Sequence, residues 1–113
     1  QAQSDIVILL SHIGFEEDRL LAEAVPGIDI IVGGRTRQLM KAPERVGQTL
    51  IVQMGYDGEW MGKLHVALDA DYNPTTSELA IVTLGPEVAD DPTLGTLVAS
   101  YKERFPEPTE ETQ

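Results

Sequence analysis

Few side chains in this sequence have the type and spacing to do chemistry. His12 and His65 are its two imidazoles. His12 follows the apolar run Asp5-Ile-Val-Ile-Leu-Leu10, at what should be the carboxyl end of a strand, where α/β folds place ligands. The plainer reading, a histidine that caps a loop carbonyl at a strand end, stays open beside it. His65 alternates onto the polar side of its segment with Lys63, which reads as a solvated face. The stretch Gly33-Gly34-Arg35-Thr36-Arg37 closes a second apolar run. Its glycines permit a sharp turn or a close approach to a ligand. Its two guanidiniums could grip a phosphate or carboxylate bidentately, or could simply bridge to nearby carboxylates.

Asp69, Asp71 and Asn73 have the spacing that opens a calcium loop. The sixth position, however, is Pro74 where a glycine should bend the chain, and the twelfth is Ala80 where a glutamate should close it. A hairpin turn is the better reading. There is no glycine-rich phosphate loop, no nucleophile elbow and no His-Glu-x-x-His. The absence of cysteine removes disulfides, thiolate metal sites and thiol nucleophiles.

The elements that must position these residues follow from periodicity. Asp5 to Leu10 reads as a strand covered on both faces, because its apolar run is continuous. Phe15 to Ala24 is helix-favourable, with Glu16, Glu17 and Asp18 in the first turn, where carboxylates suit the helix dipole. Pro26-Gly27 stops that helix, and Ile28 to Val32 forms a second strand. Strand, helix and strand in so short a span predict a βαβ unit with parallel strands and a right-handed crossover. Three further strands, Leu50 to Met54, a segment with Leu64, Val66 and Leu68 on one face, and Glu78 to Leu84, predict an antiparallel meander. Asp91-Pro92 reads as an N-cap followed by a first-turn proline. Leu94, Leu97, Val98, Tyr101 and Phe105 then give a C-terminal helix one apolar face. The expected organisation is one partial domain over residues 1–105 and an acidic disordered tail over 106–113.

The 113 residues include 19 acidic and 8 basic side chains, a formal charge of −11. That balance disfavours nucleic acid and anionic lipid as partners. No apolar run approaches the roughly 20 residues of a membrane span, so membrane insertion is not expected. The sequence opens on Gln1 rather than Met, which reads as removal of a signal peptide, of an upstream domain or of other flanking sequence. No signal peptide is visible in what remains.

The order of certain residues resembles a known family. Asp5-Ile-Val-Ile-Leu-Leu-Ser-His-Ile-Gly-Phe-Glu-Glu-Asp18, then Leu21-Ala22-Glu23, then Val25-Pro-Gly-Ile-Asp-Ile-Ile-Val-Gly-Gly34 is similar to the later part of calcineurin-like metallophosphoesterase catalytic domains. The similarity is greatest to their 5'-nucleotidase and 2',3'-cyclic phosphodiesterase branch. Thr49-Leu-Ile-Val-Gln53, Gly55 and Trp60-Met-Gly-Lys-Leu64 continue it, so the resemblance runs over about residues 4–84. It implies an α/β fold, half of a four-layer α/β/β/α sandwich. It also implies a family chemistry in which two divalent ions activate water and polarise a phosphate ester.

Of the family's ligand motifs, three lie upstream of this sequence. His12 matches the later histidine of the set and is the residual ligand the resemblance implies. At the family's Gly-His-x-His or Gly-His-x-Gln turn, this sequence has Gly34-Arg35-Thr36-Arg37. Arginine stays protonated and has no lone pair to offer a metal. No catalytic residue is therefore assigned and no bound cofactor is expected. The leading expectation is a non-catalytic, metallophosphoesterase-like module that serves as a structural or partner-binding domain. Another protein chain or a second copy would cover the face left open by the missing half. By resemblance the location is periplasmic or extracellular. The alternatives are one segment of a split or processed phosphoesterase completed by an upstream part, and phosphate or nucleotide binding at Arg35 and Arg37 with Gly33 and Gly34.

Overall fold

The computed structural model describes residues 3–109. In chain order the elements are β1 (Ile8–Leu10), α1 (Phe15–Ala24), β2 (Ile30–Val32), β3 (Glu44–Val46), β4 (Thr49–Val52), β5 (Trp60–Leu68), β6 (Pro74–Thr83) and α2 (Pro92–Arg104). The class is α/β, as expected. The βαβ unit is present: β1 and β2 pair in parallel on either side of α1 in sequence.

One detail of the expected arrangement changes. The Leu50 strand does not open a three-stranded meander. β4 pairs in parallel with β2 and antiparallel with the short β3, giving a four-stranded sheet in the order β1-β2-β4-β3. The reason lies in its side chains: all four residues of β4 are buried, and a strand apolar on both faces belongs inside a sheet. The antiparallel part is the β5–β6 hairpin alone, a separate two-stranded sheet with an irregularity at Ala67/Leu68. Asp69 makes its turn, accepting from the Asp71 and Asn73 N–H groups through Oδ1 at 2.9 Å.

Register sorts the sheet into two faces. Leu9, Ile31 and Ile51 are aligned neighbours and face α1, where they pack with Ala22 and Phe15. The opposite row, Leu10, Val32 and Val52, is 79 %, 39 % and 8 % exposed from the edge strand inwards. The expectation that β1 is covered on both faces is therefore corrected: its Ile8 and Leu10 are both exposed. Leu64 and Leu79 of the hairpin share a cavity of about 340 Å³ with Ile8, Ile30 and Val32. The open face that a half-sandwich implies is thus present.

Asp91 caps α2, accepting from the N–H groups of Thr93 and Leu94. None of the helix's residues is buried, and Leu94, Leu97, Val98 and Tyr101 are all exposed. Pro106 to Thr109 carry no helix or strand, and the rest of the tail expected to be disordered, 110–113, lies outside the described residues.

Candidate functional site

Because β1, β2 and β4 run parallel, their carboxyl ends share one edge of the sheet. Three segments meet there: the loop Ser11–Gly14 after β1, the turn Gly33–Arg37 after β2, and Gln53 directly after β4. Main-chain bonds lace the edge, with Ser11 N–H donating to the Val32 carbonyl and Gly33 N–H to that of Val52, both at 2.9 Å.

Beneath the edge lie two buried polar side chains. Asp18, on the first turn of α1, is fully buried and accepts from Ser11 Oγ at 2.5 Å through Oδ1. Gln53 is 1 % exposed, and its Oε1 accepts from Thr36 Oγ1 at 2.9 Å and from the Gln38 N–H at 3.1 Å. Asp18 Oδ2 and Gln53 Nε2 have no partner among the described residues. Both flank Gly33, where a Cβ would stand 2.6 Å from Asp18 Oδ2 and 3.1 Å from Gln53 Nε2. Residue 33 is glycine because the two side chains occupy the space a methyl would need.

Gln53 also holds the backbone of the turn. Arg37 sits at φ 58° with its N–H on the Gly34 carbonyl. That left-handed conformation costs a residue with a Cβ roughly 1–2 kcal/mol, and the two bonds to Gln53 Oε1, one on either side of Arg37, offset it. Met40 N–H on the Gln53 carbonyl and Gly55 N–H on that of Gln38 complete the stitching.

The structure places His12 exposed on the loop after β1. It brings that loop against the arginine turn: a Cβ on Gly14 would lie 3.9 Å from Thr36 Cγ2. Arg35 and Arg37 are exposed. His65 stands apart on the hairpin, exposed and opposite Glu78. Among the described residues no three His, Asp or Glu side chains converge as a metal site. Sequence reasoning placed Asp18 among the carboxylates that suit the helix dipole, and it gave Gln53 no role. The available signals were a serine at a strand end seven residues before an aspartate, and a glutamine directly after the apolar run Leu50-Ile51-Val52.

This geometry has counterparts among known proteins. No family model matches the sequence. The uncharacterized metallophosphoesterase YunD of Bacillus subtilis is 33 % identical over 82 residues, covering 73 % of this chain and 18 % of its own. The 5'-nucleotidase of Bos taurus is 29 % identical over 106 residues, covering 78 % of this chain and 18 % of its own. The sulfate thiohydrolase SoxB of Thermus thermophilus superposes with a TM-score of 0.81 at 26 % identity, over 90 % of this chain and 19 % of that one. This chain belongs to the metallophosphoesterase family, in its 5'-nucleotidase branch. As a metallophosphoesterase segment it spans about a fifth of the length of these relatives. The family's half-sandwich accounts for a sheet closed by α1 on one side and open on the other.

Proposed function

We propose that this chain is a non-catalytic metallophosphoesterase-like module, a structural or partner-binding domain that seats its open sheet face on another chain or a second copy. The observation that carries the reading is the donor set at the turn: Arg35 and Arg37 stand where a metal-binding turn needs lone pairs. His12 alone cannot hold an ion against water, since each site needs several ligands. The exposed Ile8, Leu10 and Val32 supply the apolar patch expected of an interface. The reading also places the module outside the cytoplasm, by its likeness to the family branch.

Metal analysis and a phosphodiester hydrolysis assay on the full-length protein in its natural assembly test this. The expected result is no stoichiometric transition metal and no turnover that His12→Ala removes. Light scattering should find the assembly larger than one chain. A second reading, one segment of a metal-dependent phosphoesterase completed by an upstream part, is favoured by the small share of each relative that this chain spans. Bound transition metal together with turnover lost on His12→Ala would establish it and overturn the first.

A further inference from the structure

We propose that α2 is a self-association element: two copies of this chain pair through their C-terminal helices, side by side and antiparallel. The inference goes beyond the open sheet face and does not rest on it. α2 buries none of its residues, and Leu94, Leu97, Val98, Tyr101 and the capping Phe105 are each more than half exposed. At 3.6 residues per turn these five fall within roughly 100° of arc, a single apolar stripe along the helix. The radius of gyration is 18.4 Å, against the roughly 13 Å of a compact chain of this length, as expected when an element stands off the body. α2 has 13 residues, and isolated helices below about 15 residues are marginal in water. A stripe left uncovered by the described residues therefore gains from a partner surface.

Charge fixes the partner and its direction. A groove of about 400 Å³ runs beside the stripe, with Asp90 and Asp91 at one end, Leu94 and Val98 along it, and Lys102 at the other. Asp91 and Lys102 stand about 16 Å apart along the axis, too far to pair within one helix. Reversing a second copy about a two-fold axis near Leu97 brings its Lys102 to the acidic end and its acidic end to Lys102. One groove thus supplies both halves of the match, as an isologous contact requires. A parallel pair would instead set Asp91 against Asp91 and Lys102 against Lys102. The open sheet face of a second copy is a poorer host for α2, because no charged residue lines its cavity. The opposing force is the charge of −11 on each copy, which physiological salt screens beyond about 8 Å.

Sedimentation equilibrium of the full-length protein at physiological salt tests the pairing. The mass should move from one chain to two as the concentration rises. Leu97→Asp, beside the two-fold axis, should weaken the dimer about tenfold or more. Glu103→Lys, on the far side of the helix, should not weaken it. Lys102→Glu should weaken the dimer, and Asp90→Lys added to it should restore it, a rescue that mere loss of helix structure would not give. A mass of one chain at every concentration overturns the inference, as does a dimer that Leu97→Asp leaves intact. A dimer indifferent to Lys102→Glu overturns the antiparallel match. Loss of the dimer in Leu10→Asp puts the contact on the sheet face; it overturns this inference and leaves the open-face reading standing.

Discussion

Leu9, Ile31 and Ile51 lie on one face of the four-stranded sheet, and Leu10, Val32 and Val52 on the other. The two rows are alike in chemistry and unlike in fate. α1 closes over the first, where Ile31 and Ile51 reach zero exposure. The hairpin's Leu64 and Leu79 line a cavity beside the second, whose exposure rises from Val52 to Leu10. Aliphatic character in a strand therefore states that a side chain needs cover. It does not state whether the same chain provides it. Apolar burial is worth about 25 cal/mol per Å², so the sealed row stabilises this chain, and the open row has stabilisation to offer whatever docks there.

That contrast is breakable. Ile51→Ala should cost about 2–5 kcal/mol in urea unfolding, the range for deleting a closely packed core side chain. Leu10→Ala in the isolated chain should stay within about 0.5 kcal/mol, as for a surface position. Equal costs would mean that the open face is covered in solution. Gly33→Ala tests the edge between the two faces. Its methyl would press on Asp18 Oδ2 and Gln53 Nε2 and should cost about 1–3 kcal/mol by overpacking, read from the same denaturation curves. The smallest global effect belongs to Asp91→Ala. Losing the cap should weaken α2 by about 1 kcal/mol, visible as faster amide exchange at Thr93 and Leu94. The urea midpoint should not move, because α2 buries none of its residues. A lowered midpoint would show that the helix packs on the body after all.

Local signals in the sequence marked several elements well. The acidic first turn and Pro26-Gly27 bracket α1 at Phe15–Ala24, and Asp91-Pro92 marks the start of α2. The arginine turn was legible because glycines and charged groups end an apolar run. What escaped depended on partners distant in the chain. Glu44-Arg45-Val46 has too short and mixed a pattern to announce β3. The place of β4 beside β2 is set by pairing across more than a dozen residues, which short connections do not reveal. Asp18 and Gln53 look like ordinary surface polar residues until the fold buries them beneath Gly33.

Among the described residues the sheet order leaves the outer rim of β1 without a neighbouring strand, and that rim is flanked by the exposed Ile8 and Leu10. Unpaired strand edges with an oily flank invite extended chains to add on. An extended segment laid along that rim would continue the sheet by one strand.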